Sequence, residues 1–282
     1  MLPGFGRIGV PAVVAGVFNS LAIWSILKMT NKRNGGRVLY RGPSQIDGGA
    51  IVAVLIPASS NKKTGAMDQV YILADSEKDP LEINRLGLDR SICGDCPLKG
   101  TPAPDKPKGT ARDRACYVTL FQGPLNVWKS YRAGKYTPAA PDELAAIGRG
   151  RNIRLGAYGD PAAMPADIVR ALLSEAAGFT GYTHQWGILA SDQLAAHCMI
   201  SADTETEARA HWKQGRRTFR VVASPADIVP GSEIICPATA EGGRRTNCNE
   251  CGLCAGSSVA ARNIAAVAHG NGAKYAPALV AV

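Results

Sequence analysis

The chain has 282 residues, 46% hydrophobic and 20% charged, with 31 Gly and 18 Pro. That composition excludes a disordered chain or a coiled coil and provides apolar material for one large domain or two modest ones. A net charge of +9 and a pI near 9.2 admit nucleic acid or another anionic partner. Basic residues nevertheless adjoin only as pairs, at Lys32-Arg33, Lys62-Lys63, Arg216-Arg217 and Arg244-Arg245, with no longer run.

Ile8 to Leu27 carries no charge and is long enough to span a membrane, although Pro11, Asn19 and Ser20 dilute it. Were it inserted, Lys28, Lys32, Arg33 and Arg37 would keep the remainder on the cytoplasmic side. The favoured reading sets residues 1–28 aside as an extension that is not native, with Met29 as the start. Residues 48–282 then form one cytoplasmic α/β metal-binding domain that needs no membrane.

The apolar runs Ala50–Pro57 and Gln69–Ala74 read as strands of a hairpin. A loop-rich stretch, Leu86–Pro124, carries Cys93 and Cys96 as C-x2-C and then Cys116. Gly123–Tyr136, with Leu125, Trp128 and Tyr131 about a turn apart, reads as a helix. From Asn152 a strand–loop–helix cadence begins. Its strands are Asn152–Ala157, Gly181–Trp186 (a strand and loop), His197–Ala202, Thr218–Ala223, Glu233–Pro237 and Asn263–His269, and its helices are Pro165–Ala177 and Thr204–Gln214. This predicts a parallel sheet or a (β/α) barrel, complete or partial, with cysteine-rich loops.

The densest chemistry lies in Cys236–Cys254, where Cys248, Cys251 and Cys254 follow as C-x2-C-x2-C. Such turns let thiolates converge on one centre, and either zinc or a [4Fe–4S] cluster accepts them. Seven of the eight cysteines stand in metal-ligand spacing. Grouping of this kind points to a reducing compartment and metal, and away from a disulfide scaffold. Cys198, inside an apolar strand, reads as a packed core thiol, while His197 and His211 look peripheral, the latter on the polar side of its helix. Asp160, His184, Asp203, Cys236 and His269 each fall at a predicted strand end, where α/β folds gather ligand groups. Asp203 reads as a helix cap. Asp160, His184 and His269 are the protein groups nearest to hand for completing the three-thiolate set.

The motifs SICGDCPLKG, RLGAYGDPAAMP, GYTHQW, MISAD, RTFRV and the terminal CP–CxxCxLC–H pattern resemble a family of cysteine-rich proteins from phages, plasmids and mobile elements. That family is in turn similar to the phage "gene product eighty-eight" family. The resemblance covers Lys63 to Gly270 and implies no particular activity. At the level of fold, the chain is also similar to radical S-adenosylmethionine enzymes, barrels that hold a [4Fe–4S] cluster through three cysteines. Here Cys93, Cys96 and Cys116 would be those three, although C-x2-C-x19-C departs from the usual C-x3-C-x2-C. Gly159, Asp160 and Tyr182 would face the cofactor, with S-adenosylmethionine as a candidate, and His184 and Asp160 would do the proton chemistry. Cys236, Cys248, Cys251 and Cys254 would close an auxiliary cluster. The competing expectation is a zinc-stabilised, non-enzymatic protein in which Arg216, Arg217, Arg244 and Arg245 meet phosphate, binding nucleic acid or a host factor.

Overall fold

The computed structural model describes residues 35–57, 61–188, 192–258 and 260–276. The apolar segment 1–28 and Met29 lie outside them. One compact unit begins at Gly35, ahead of the expected boundary at Gly48. The difference comes from a strand that sequence pattern passes over, β1 (Arg37–Pro43), whose alternating Arg, Tyr and Gly disguise it.

Strand β2 (Ala50–Ile56) is buried over most of its length, because it lies between two neighbours and under helices; its uninterrupted AIVAVLI run follows from that. It pairs antiparallel with β1 and, across the expected hairpin, with β3 (Asp68–Ala74), Val54 opposite Tyr71. Helix α1 (Pro80–Arg85) is capped by Asp79, whose Oδ1 accepts from the Leu81 and Glu82 amides at 2.8 and 2.9 Å. Short α2 (Arg90–Cys93) carries the first cysteine, and α3 (Gly123–Arg132) is the helix that the Leu125, Trp128 and Tyr131 spacing predicts. Strand β4 (Thr137–Pro138) and helix α4 (Leu144–Gly148) lead to β5 (Asn152–Tyr158), which lies parallel to β3. Helix α5 (Ala166–Leu173) connects to β6 (Gly178–Thr180), parallel to β5.

Only Gly181 separates β6 from β7 (Tyr182–Thr183). The two strands belong to different sheets, so the chain steps between sheets at this residue. A Cβ there would stand 2.8 Å from Cys198 Sγ and 3.1 Å from the His197 carbonyl oxygen, so glycine alone permits the step. Beyond it come β8 (Met199–Ala202), helix α6 (Glu205–Lys213), β9 (Thr218–Val222), β10 (Glu233–Ile235), helix α7 (Cys248–Cys251) and β11 (Asn263–Val267).

The molecule is therefore an α/β protein with two sheets. One has six strands in the order β4-β1-β2-β3-β5-β6 and mixed direction; the other is parallel throughout, in the order β10-β11-β9-β8-β7. Neither closes, so the closed form of the expected barrel is corrected. Its first three strands are an antiparallel meander, which cannot supply the repeated parallel crossover that closure needs.

The two sheets bury very different cores. The six-stranded sheet carries a large cluster that includes Ile51, Val54, Ile72, Leu155 and Leu172. The cluster of the five-stranded sheet has three buried members among the described residues: Met199, Cys254 and Ile264. Cys198 is buried, as expected of a core thiol. His211 is also buried, at 4% exposure, its ring edge-on to Trp186 with centroids 4.5 Å apart, which corrects its placement on the polar face of α6. Asp203 does not cap α6 either; Thr204 does, its Oγ1 accepting from the Glu207 amide at 3.1 Å.

Candidate functional site

A cavity of about 500 Å³ opens where the strand ends of both sheets meet their long loops. Its lining includes all seven of the regularly spaced cysteines.

The first set is built by a tight turn. The Cys93 amide donates to the Asp89 carbonyl at 2.8 Å and the Cys96 amide to the Cys93 carbonyl at 3.2 Å. Between them Gly94 sits at φ +54°, and a Cβ there would overlap the Gln185 side-chain amide. Cys116 returns to this turn through its amide, 2.8 Å from the Leu98 carbonyl oxygen. Buried Asn84 holds the loop from below, donating to Asp89 Oδ2 at 2.8 Å and to the Lys99 carbonyl at 3.0 Å. Burial raises the Cys93 and Cys116 thiols; Asp89 and the neighbouring sulfurs raise Cys93 further, while Arg114 works against the rise at Cys116.

Asp160 and His184 stand against this turn. The Asp160 amide donates to the Ile92 carbonyl at 2.6 Å. Its carboxylate accepts from the Ala162 amide at 2.9 Å and from the His184 amide at 2.8 Å. Burial raises its pKa against those hydrogen bonds. His184 Nε2 lies 3.2 Å from Asp203 Oδ1 and 3.7 Å from Cys96 Sγ. Burial disfavours the imidazolium, yet Cys96 and Asp203 outweigh it and hold this histidine well above its usual value. Two further polar atoms of the lining, Tyr158 Oη and Arg114 Nε, are buried without a hydrogen-bond partner. Gly159, at φ +80°, allows the strand end to pass within van der Waals reach of Ile72.

The second set hangs from the other sheet. Cys236 follows β10, its amide 2.8 Å from the Ala265 carbonyl oxygen on β11. Asn247 caps α7, accepting from the Glu250 amide at 3.1 Å, and Gly252 ends that helix in the left-handed region. The Cys248 amide donates to the Lys63 carbonyl at 2.9 Å, tying this loop to the segment before β3. Burial, opposed by a hydrogen bond from Tyr182 and reinforced by Cys236, Cys248 and Cys251, pushes the Cys254 thiol up to about 12. Burial likewise raises Cys248, with Arg154 and Lys63 opposing.

Between the sets lies Arg154, which donates to the Tyr117 hydroxyl and sits 5.9 Å from the centre of the Tyr182 ring. His269 is at the rim, its Nε2 2.9 Å from Lys63 Nζ and its ring 5.5 Å from that of Tyr117. Burial and Lys63 hold His269 below its usual value. The structure thus gathers Asp160, His184, Gly159, Tyr182 and the seven cysteines around one space and leaves His269 at its edge. Among the described residues, no three Cys, His, Asp or Glu side chains converge closely enough to enclose a single ion as they stand.

Lys63 stands in the sequence only as half of a basic pair, and no ligand spacing marks Asp89, Tyr117 or Arg154. A signal for the last was available: an arginine in the otherwise apolar strand NIRLGA. The phosphate role expected of Arg217 is corrected. It is 5% exposed and donates to the Leu253, Gly256 and Arg262 carbonyls, so it pins the loop that carries Cys254. Comparisons with family models, with curated proteins and with solved structures gave no match.

Proposed function

We propose that this is a metal-binding protein of the phage and mobile-element type whose two cysteine sets hold iron–sulfur centres on two sides of one substrate cavity. The observation that carries the reading is that all seven spaced cysteines, from distant chain segments, line the same cavity as Asp160 and His184. The donor chemistry fits: sulfur-only sets favour iron–sulfur clusters or zinc. All eight cysteines are free thiols, in keeping with a reducing, cytoplasmic compartment. Among the described residues no helix is long and apolar enough to cross a membrane. The parallel strands β3, β5 and β6 continue through Gly181 into β7, β8, β9, β11 and β10, and we read the pair of sheets as a partial barrel of the radical S-adenosylmethionine kind.

In this reading Cys93, Cys96 and Cys116 hold a centre with one position left for a small ligand such as S-adenosylmethionine, and Cys236, Cys248, Cys251 and Cys254 hold a closed one. The bound groups supply one-electron chemistry. The chain's own residues do the remainder. Asp160 fixes the His184 backbone, and His184 keeps a proton on Nε2 between Cys96 and Asp203. Gly159 and Tyr182 shape the wall.

One observation favours zinc as the alternative. His184 Nε2 lies 3.7 Å from Cys96 Sγ, so it would be the fourth ligand of a closed Cys3His set if Cys93 and Cys116 drew in, as in a non-enzymatic protein that binds nucleic acid or a host factor. Anaerobic purification followed by iron, sulfide and zinc analysis separates the two. Brown protein with iron and sulfide is expected; colourless protein with stoichiometric zinc selects the alternative, and protein that takes up neither metal removes both.

A further inference from the structure

We infer that the Lys63–Arg154 end of the cavity seats the anionic group, a carboxylate or a phosphate, of a small-molecule ligand. This rests on the cavity being the substrate site proposed above and adds the chemical class of what enters it.

Arg154 carries the argument. It is 7% exposed, lies in the middle of β5 and faces the cavity. Other buried guanidinium groups are compensated locally: Arg220 pairs with Glu233 at 2.8 Å, and Arg217 is wrapped by three backbone carbonyls. Arg154 instead has the Tyr117 hydroxyl and the face of Tyr182, and among the described residues no carboxylate comes within ion-pair distance. A buried cation with no carboxylate beside it is costly, which favours a partner supplied from outside the chain. Its planar fork suits two-point binding of a carboxylate or phosphate.

Lys63 brings a second donor to the same place. Its Nζ is 2.9 Å from His269 Nε2 and 5.9 Å from the centre of the Tyr117 ring, so both basic side chains meet around Tyr117. The carboxylates that line the cavity are already engaged, and Glu241, which acts on the charge of Lys63, lies outside the lining. Asp89 binds Asn84, Asp160 binds the Ala162 and His184 amides, and Asp203 binds His184. Tyr71, Tyr117, Tyr182 and Phe219 give the space apolar walls, and about 500 Å³ suits a small molecule. The rival partner for Arg154 is the thiolate set itself, since Cys248 and Cys254 lie near enough to act on its charge.

The test uses the full chain, purified anaerobically, titrated calorimetrically with inorganic phosphate and separately with succinate, with metal content measured on every sample. Saturable binding of one probe is expected, and which one binds decides between phosphate and carboxylate. Arg154→Gln should weaken it about tenfold or more while keeping its metal. The proposal is overturned if neither probe binds the wild-type protein, if Arg154→Gln binds as the wild type does, or if it loses metal and anion together. Arginine-dependent anion binding by a protein that takes up no metal would uphold the seat and sink the metal reading. Should Arg154→Gln fail to fold, Lys63→Gln replaces it; a severalfold weaker affinity supports the seat and an unchanged one overturns it.

Discussion

The two cysteine sets face each other across one cavity, yet they stand on unlike ground. The first is docked on the six-stranded sheet, whose apolar core is extensive without it, and its neighbours are Asp89, Asp160, His184 and Asp203. The second is part of the only apolar cluster found for the five-stranded sheet among the described residues, with Cys254 one of its three buried members, and its neighbours are Lys63, Arg154 and Arg217. Four sulfurs can close a site and three leave a position open, so in the proposed reading the second set is better suited to permanent metal binding and the first to an exchangeable ligand. A small core also depends more on a staple. The proposed reading gives structure to one set and chemistry to the other.

The largest effect should come from breaking the staple. Cys251→Ser is expected to lose metal and solubility, since the binding free energy of a closed site is folding free energy, on the order of 10 kcal/mol for structural zinc. Cys96→Ser should lose metal from the first set and leave soluble, cooperatively melting protein. If the two variants melted alike, the contrast would vanish. Next in size is the anchor under Cys236. Arg220 and Glu233 are almost wholly buried, and Glu233 begins the strand that leads to that cysteine. Glu233→Ala leaves an unpaired buried guanidinium and should cost about 3–5 kcal/mol, read by denaturant unfolding, with second-set metal lost in parallel.

A smaller loss is expected at the seam between the sheets. Gly181→Ala forces a methyl group against Cys198 and the His197 carbonyl, and should cost about 1–3 kcal/mol as a lower melting temperature. An unchanged melting temperature would show that the step between sheets has slack.

The mildest effect is in pH. Burial lowers the His211 pKa, and its Nδ1 has no hydrogen-bond partner. A depressed folded-state pKa means that its contribution is full above the unfolded value of about 6.5 and is lost as pH falls from there through the folded value. His211→Phe should flatten that acid-side decline without altering metal content. A decline of unchanged depth would assign it to other groups.

Much of this arrangement was legible in the residues. The cysteine spacings marked both sets, and the apolar runs located β2, β3, β5, β9 and β11, because continuous burial leaves a continuous signature. Strand β1 escapes the apolar pattern since one of its faces is solvated, and the step between sheets at Gly181 has no local pattern. Asp203 illustrates a subtler failure. A strand-end Asp before Thr204 and Glu205 fits a helix cap, but Thr204 takes that role and leaves Asp203 free to reach His184, a contact set by tertiary packing. The meeting of Arg154 and Lys63 is hidden for the same reason: their shared surroundings come from strands and loops far apart in sequence.

The most direct test of the division between the sets is metal stoichiometry in three anaerobically prepared proteins: the wild type, Cys96→Ser and Cys251→Ser, each with its melting curve. The account predicts a wild type carrying metal at both sets, a Cys96→Ser protein that keeps the second-set metal and its cooperative melt, and a Cys251→Ser protein that keeps neither. A wild-type chain that is free of metal and still melts cooperatively, with both variants indistinguishable from it, would contradict the account.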